Sequence, residues 1–201
     1  MKGVKNMRIC CFNPITVILI VLVLLLIPGR EAIPAENVST SEPTRFGMAI
    51  AEGTTYNLGD NIYYGLVTGF VLFDYDKVWS HRAPEPLRFK VEVSAGTTMH
   101  PKTRFMASAN MFALYYLRCL ETSIFRPYIE GGTGVIYTDF RVEGQGLRFN
   151  FNPQIGIGTD IKVNPKAEFF FATRLHHISN GGLNHENKGI NSVILILGHY
   201  F

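Results

Sequence analysis

The chain has 201 residues, of which 47% are hydrophobic, 12% are aromatic and 17% are charged. This composition excludes an intrinsically disordered chain, and the length suits one domain or a small barrel. The formal net charge of +3 arises within residues 1–35, because basic and acidic residues are equal in number over 36–201. Residues 36–201 carry no excess of basic side chains that could bind nucleic acid, so we expect no nucleic-acid partner.

The N-terminus has the three-part order of a secretory signal peptide. Basic residues at positions 2, 5 and 8 precede an apolar run over 15–27, and Pro28-Gly29 and a small-residue site ending at Ala35 follow it. The apolar run is too short to span a membrane comfortably as a helix. We therefore predict a signal peptide over residues 1–35 and export of the remainder, with an uncleaved N-terminal anchor as the alternative.

The cysteines add a constraint on the exported part. Cys10 and Cys11 precede the apolar run and would leave with the signal peptide, so that Cys119 alone remains. A single cysteine forms neither an intramolecular disulfide nor a cysteine-based zinc site.

Residues 36–44 are polar and lack periodicity, which predicts a flexible leader before a β-domain over 45–201. From Arg45 onward, runs rich in Phe, Tyr, Val, Ile and Thr alternate with turn clusters that contain Gly, Pro, Asn or Asp. The predicted strands are 45–55, 61–74, 87–98, 103–118, 125–141, 146–162, 166–178 and 190–201.

These strands predict an all-β fold, an eight-stranded antiparallel outer-membrane β-barrel. Several runs reach about ten residues, which is long for a soluble sheet and sufficient for a tilted membrane crossing. An even number of strands closes without a free edge, as the hydrocarbon region requires. Side chains fill the interior of so small a barrel, so we expect no pore. A soluble lipocalin-like barrel is the alternative.

Alternation along residues 167–177 supports the barrel and sets its two faces. One face is mostly apolar and ends in His177, while the other carries Glu168 and Arg174, which need a polar, hydrogen-bonded interior. Glu130 is predicted to point inward in the same way. The chain ends in an aromatic strand at Phe201, resembling the signal by which bacterial outer-membrane barrels are recognised for insertion. We therefore expect location in the outer membrane and the barrel-assembly machinery as a partner.

One segment stands apart from the strand pattern. His177 and Ser179 are separated by one residue, so an extended chain puts an imidazole and a hydroxyl on one face as a candidate base and nucleophile. Taken alone, this spacing also occurs by chance in many chains.

The wider context of this pair resembles a known family. His-x-Ser-Asn-x-Gly at 177–182 is followed by Asn187-x-Gly189, and the stretches 126–134, 149–158 and 198–201 add to the match. Together these segments resemble the PagL-type lipid A 3-O-deacylases, which are eight-stranded outer-membrane barrels. The resemblance covers roughly residues 45–201 and is clearest after Arg126.

The resemblance implies a role for each matching residue. Ser179 would attack the ester carbonyl of an acyl chain, with His177 as general base. Asn180, through its side chain, and Gly182, through its backbone N–H, would correspond to the oxyanion-stabilising groups. The family's third catalytic residue is a Glu that orients the histidine, and Asn191 stands at the matching position. An Asn can hold an imidazole tautomer but cannot stabilise an imidazolium as a carboxylate does.

Other interpretations of this segment remain open. Glu186 could replace the missing carboxylate if the loop folds back, or it could be a solvated loop residue. A metal cluster of His176, His177, His185 and Glu186 is disfavoured because the two adjacent histidines face opposite sides of a strand. We therefore expect no metal and no organic cofactor.

The sequence thus predicts an outer-membrane serine esterase that removes an ester-linked acyl chain from the lipid A of lipopolysaccharide. A non-catalytic outer-membrane barrel with a structural or surface-interaction role is the alternative, and a periplasmic lipid-binding barrel is a third. The acyl position that is cleaved and the formation of a homodimer stay open at this point.

Overall fold

The computed structural model describes residues 43–75, 83–164 and 167–201. The predicted signal peptide (1–35) and all but the last two residues of the predicted leader (36–44) lie outside the described residues. The strands are β1 (Arg45–Thr55), β2 (Tyr63–Asp74), β3 (Leu87–His100), β4 (Phe105–Tyr116), β5 (Phe125–Thr138), β6 (Phe149–Phe151), β7 (Gln154–Asn164), β8 (Ala167–Ile178) and β9 (Ile190–Tyr200). A short 3₁₀ helix spans Arg118–Leu120. Within the described ranges, no helix is long and apolar enough to cross a membrane.

The strands form one closed antiparallel sheet. β1 to β5 pair in chain order, β7 pairs with β8 and β8 with β9, and the pairing of β1 with β9 closes the barrel. β6 and β7 both pair with β5 and together occupy one position in the wall. The described residues therefore form a closed barrel of eight strand positions, which confirms the predicted fold class.

The run 146–162, predicted as one strand, is broken between β6 and β7. Pro153 lies at the break and has no backbone N–H to donate to a neighbouring strand. Its carbonyl oxygen still accepts a hydrogen bond from the N–H of His177 on β8 at 3.0 Å. The interruption thus lies beside the histidine that the sequence singles out.

Side chains alternate between an apolar outer wall and a polar interior. On β8, Leu175 is 54% exposed on the outer wall, whereas Arg174 on the inner face is 3% exposed. Exposed aromatic side chains lie toward both ends of the barrel, as in barrels that cross a membrane. They are Tyr56, Tyr63, Phe105, Phe149 and Phe151 at one end and Phe46, Tyr115, Phe169 and Phe201 at the other.

A charged network fills the middle of the barrel. Arg174 donates to Glu130 and Glu92, each at a shortest distance of 2.7 Å, and Lys90 donates to Glu130 at 2.8 Å. Two cations are thus matched by two carboxylates, which offsets the cost of burying them. This confirms the predicted inward orientation of Glu130 and Arg174.

A second network occupies the end of the barrel at which β1 begins and β9 ends. Arg45 contacts Glu168 at 2.8 Å and Asp160 at 3.2 Å, and the hydroxyls of Tyr116 and Tyr200 donate to Asp160 at 2.6 and 2.9 Å. Strands β1, β4, β7, β8 and β9 are therefore cross-linked from the inside. The opposite end, which carries the β1–β2, β3–β4, β5–β6 and β8–β9 loops, is called the loop end below.

Candidate active site

The candidate site lies on the outer wall at the loop end of β8 and β9. His177 on β8 and Asn191 on β9 are direct cross-strand partners. Their side chains meet outside the barrel, where His177 Nδ1 lies 2.6 Å from Asn191 Oδ1. Antiparallel pairing therefore joins two residues that are 14 positions apart in the chain.

This contact fixes the protonation pattern of the imidazole. The amide oxygen of Asn191 accepts a hydrogen bond, so Nδ1 of His177 carries the proton that is donated. In the neutral ring, Nε2 is then left with a lone pair and is the nitrogen able to accept a proton. The arrangement suits His177 to act as a base through Nε2.

Ser179 follows directly after the end of β8. Its backbone N–H donates to the carbonyl oxygen of Phe151 at 3.0 Å, and its own carbonyl oxygen accepts from the N–H of Phe151 at 2.8 Å. This isolated bridge to β6 holds Ser179 in line with β8 after the regular strand ends. His177 and Ser179 are both half-buried, which leaves part of each side chain accessible.

The loop after Ser179 is organised around Asn180, which is fully buried. Its backbone N–H donates to Asn187 Oδ1 at 2.7 Å, its Nδ2 donates to the carbonyl oxygen of Glu186 at 2.8 Å, and its Oδ1 accepts from the N–H of Gly182 at 2.9 Å. The two groups predicted as oxyanion donors are therefore hydrogen-bonded within the loop in this structure. Sequence reasoning did not predict this structural role of Asn180.

Two glycines allow the loop to turn at this point. Gly181 and Gly182 have φ angles of +63° and +84°, in the region that side chains with a Cβ rarely adopt. Gly182 has open space around the position of a Cβ, whereas a Cβ on Gly181 would lie 3.0 Å from the ring of Phe151. Backbone conformation therefore explains both glycines.

Gly189 has a different role, because it packs against the candidate base. A Cβ at this position would lie 2.5 Å from Cε1 of His177 and 3.3 Å from its Nε2. Only a residue without a side chain lets the loop approach the imidazole this closely. Gly189 thus confines the ring from one side while Asn191 holds its Nδ1.

Asn57 is a residue of the site that the sequence analysis missed. This exposed residue of the β1–β2 loop donates through Nδ2 to the carbonyl oxygen of Gly189 at 2.8 Å. Its Oδ1 accepts from the backbone N–H of Asn191, also at 2.8 Å. Asn57 therefore forms hydrogen bonds to both ends of the segment 189–191, which contacts His177. Its local sequence resembles an ordinary turn and carried no signal for this contact.

The remaining charged and polar candidates lie elsewhere. Glu186 is exposed and lines a cavity of about 860 Å³ between the loops, so the acceptor found at His177 is Asn191. His176 points into the barrel, where its Nδ1 lies 3.1 Å from Ser192 Oγ and 3.3 Å from the hydroxyl of Tyr64. No group of three or more His, Cys, Asp or Glu side chains within the described ranges is placed to hold a metal ion.

Comparison with known proteins identifies the family. The pattern of the lipid A 3-O-deacylase (PagL) family matches residues 62–200. The crystal structure of the outer membrane enzyme PagL is 25% identical, with a TM-score of 0.53, and the match covers 76% of this chain and 97% of that one. Neisserial surface protein A (NspA) shares the fold at 13% identity, with a TM-score of 0.60 over 81% of this chain and 98% of that one. No curated protein matches significantly.

The matched range contains the strands from β2 to β9 and every candidate catalytic residue, and the apolar outer wall is that of a membrane barrel. The chain is therefore an outer-membrane β-barrel that belongs to the lipid A 3-O-deacylase (PagL) family.

Proposed function

We propose that this protein is a serine esterase that removes an ester-linked acyl chain from lipid A, with Ser179 as nucleophile, His177 as general base and Asn191 as the residue that orients it. The observation that carries the proposal is the 2.6 Å contact between His177 Nδ1 and Asn191 Oδ1, beside an accessible Ser179. The family name gives the 3-O position of lipid A, and we expect the same position here.

The chemistry follows from these groups in two steps. Nε2 of His177 takes the proton from Ser179 Oγ as the oxygen attacks the ester carbonyl carbon. The tetrahedral intermediate collapses, the sugar oxygen leaves with the proton from His177, and an acyl-enzyme remains. Water then attacks this ester while His177 takes its proton, and the fatty acid is released as His177 returns that proton to the leaving Ser179 Oγ.

The oxyanion donors come from the loop after the nucleophile. The amide of Asn180 has a second N–H beyond the one donated to Glu186, and Gly182 would exchange its bond to Asn180 Oδ1 for one to the substrate oxygen. The mechanism therefore includes a small rearrangement of this loop on substrate binding.

The position on the outer wall supports a substrate that is already in the membrane. His177 and Leu175 share the apolar outer face of β8, and the acyl chains of lipid A lie in the same layer as this face. The ester can then reach Ser179 without the chains leaving the lipid.

A non-catalytic outer-membrane barrel is the second candidate function. It is favoured by the amide at position 191, because Asn191 cannot stabilise an imidazolium electrostatically as the family's carboxylate does. The two candidates predict the same location and the same fold and differ only in chemistry.

Mass spectrometry of lipid A from a Gram-negative host tests the proposal. We expect the wild-type chain to remove one hydroxyacyl group, and Ser179→Ala and His177→Ala to leave lipid A intact. Ser123→Ala changes an exposed serine in the β4–β5 connection and should behave as wild type. Barrel assembly is checked for each variant by the mobility of the unheated protein in SDS gels. Intact lipid A with correctly assembled wild-type protein would favour the non-catalytic barrel.

A further inference from the structure

Three buried polar side chains meet on the inner face of the barrel, directly behind the contact between His177 and Asn191. The hydroxyl of Tyr64 lies 2.7 Å from Ser192 Oγ and 3.3 Å from His176 Nδ1, and His176 Nδ1 lies 3.1 Å from Ser192 Oγ. Hydroxyls can both donate and accept, so these groups form one hydrogen-bonded set in either tautomer of the imidazole. Tyr64, His176 and Ser192 are called the inner triad below.

The inner triad lies one step along the ladder from the residues that carry the proposed chemistry. His176 and Ser192 are cross-strand partners on β8 and β9, and the next pair of the same ladder is His177 and Asn191. Successive side chains of a strand point to opposite faces, so the first pair points inward and the second outward. A shift of β9 along β8 would therefore change the inner contacts and the 2.6 Å contact between His177 Nδ1 and Asn191 Oδ1 together.

Tyr64 reaches this pair from β2, across the intervening strand β1. Its ring lies over Gly53, which pairs with Tyr64 on one side and with Ile194 of β9 on the other. A Cβ on Gly53 would lie 2.1 Å from Cζ of the ring, so the missing side chain provides the space that the ring occupies. The hydroxyl thereby links β2 to β8 and β9 through the interior.

The β7 side of β8 gives weaker support at this level. Regular pairing of β7 with β8 ends at Gln154 and His176, next to Pro153, which has no N–H to donate. His177 keeps a backbone bond on this side, from its N–H to the carbonyl oxygen of Pro153 at 3.0 Å. The position of His177 relative to Asn191 therefore depends on the β8–β9 ladder and on the inner triad behind it.

From the direct succession of the two pairs we infer that Tyr64, His176 and Ser192 are positioning residues for the proposed reaction. The inner triad holds β9 in register with β8 and so keeps Asn191 at hydrogen-bond distance from His177. This inference rests on the proposed function, in which that contact orients the general base. A misplacement of about 1 Å near the chemistry can lower a rate about 100-fold, so even a small shift of β9 is enough to slow turnover.

The experiment removes single oxygen atoms from the inner triad and from matched positions elsewhere. Tyr64→Phe and Ser192→Ala each delete one hydroxyl of the triad. Ser94→Ala is the control for Ser192→Ala, because Ser94 is also buried, on β3, and its Oγ lies 2.7 Å from Thr68 Oγ1. Tyr128→Phe is the control for Tyr64→Phe, because Tyr128 is a buried tyrosine of β5 whose hydroxyl has no hydrogen-bond partner among the described residues.

Initial rates are measured on purified lipid A and referred to the assembled fraction, which is read from the mobility of the unheated barrel in SDS gels. We expect Tyr64→Phe and Ser192→Ala to lower kcat about ten-fold at nearly constant KM, and both controls to stay within about two-fold of wild type. In an Asn191→Leu background, Tyr64→Phe should lower kcat less than about two-fold further, because the contact that the triad supports is already lost.

A spectroscopic signal follows the contact itself, without turnover. The proton on His177 Nδ1 is observed by NMR in protein that carries isotope-labelled histidine, and it is assigned by its loss in His177→Ala. We expect this resonance to shift in Tyr64→Phe and Ser192→Ala and to keep its wild-type position in Ser94→Ala and Tyr128→Phe.

Equal kcat values for the triad and control variants would overturn the inference, as would an unchanged histidine resonance or an undiminished loss in the Asn191→Leu background. If one triad variant does not assemble, the other carries the same test. Wild-type protein that leaves lipid A intact would instead overturn the proposed function. The two failures are distinguishable because the resonance is measured without substrate.

Discussion

The contact between Asn191 and His177 leads to the sharpest prediction about catalysis. Asn191→Asp replaces the amide by a carboxylate of the same length, and the backbone bonds from residue 191 to Asn57 and Tyr56 do not depend on its side chain. The acceptor therefore stays about where Asn191 Oδ1 now lies, 2.6 Å from His177 Nδ1. Only the charge of the acceptor changes.

The size of the effect follows from the charge that develops on His177. In the proposed mechanism the imidazole becomes an imidazolium during attack, and a hydrogen bond to a charged group contributes about 1.5–3 kcal/mol compared with about 0.5–1.5 kcal/mol for a neutral pair. The difference of about 1–1.5 kcal/mol corresponds to an increase of about five- to ten-fold in kcat. Asn191→Leu removes the acceptor at similar volume and releases the ring, so we expect a loss of about 100-fold.

The assay is the initial rate of fatty-acid release from lipid A by purified, detergent-solubilised protein. The expected order of kcat is Asp above the wild-type Asn and Leu far below it, with unchanged mobility of the unheated barrel in SDS gels. A Leu variant as active as wild type would refute the orienting role of Asn191. An Asp variant slower than wild type would show that imidazolium stabilisation does not limit the reaction.

Three further substitutions separate activity from stability. Gly189→Ala puts a methyl group 2.5 Å from the present position of His177 Cε1, so the ring must move. The rate of lipid A deacylation should fall about 100-fold without loss of the barrel. An unchanged rate would mean that the ring is free to shift. Asn57→Ala removes both 2.8 Å hydrogen bonds to the segment 189–191, and kcat should fall about ten-fold at nearly constant KM. If only the melting temperature changed, the role of Asn57 would be purely structural. Arg174→Leu leaves two buried carboxylates with one lysine. The free energy of unfolding, measured with urea in lipid vesicles, should fall by about 3–5 kcal/mol. A smaller loss would mean that water reaches the network.

The fold was predictable because period-two alternation is a local property. The predicted strand 45–55 coincides with β1, and the prediction for 166–178 differs from β8 by one residue. Inward-facing charges such as Arg174 are equally predictable from the sequence, because every second residue along the strand is apolar and the residues between them are not. The break at Pro153 was missed because the alternation resumes directly after it, so the pattern alone gives one continuous strand.

The site was predictable only where it depends on local spacing or on the family resemblance. The spacing predicts that His177 and Ser179 share a face, and the family resemblance pairs Asn191 with His177. Neither reveals Asn57, whose partner Asn191 lies 134 positions away. That contact depends on the pairing of β1 with β9, which closes the barrel and brings the β1–β2 loop beside β9. The bonds of Asn180 likewise depend on how the loop folds, which no periodic pattern encodes.

The alternation of side chains along β8 puts the buried charged network and the proposed catalytic histidine on opposite sides of one strand. Arg174 and His176 point inward and bond to β3, β5, β2 and β9, so the interior fixes the path of the strand. Leu175 and His177 point outward, where His177 contacts Asn191 of β9 and packs against Gly189 of the β8–β9 loop. The interior contacts already fix the backbone of β8. The outward side chains are therefore not needed to hold the strand in place and can serve the proposed reaction. Substitutions at inward positions of β8 should therefore change unfolding energy, and those at outward positions near the loop end should change turnover.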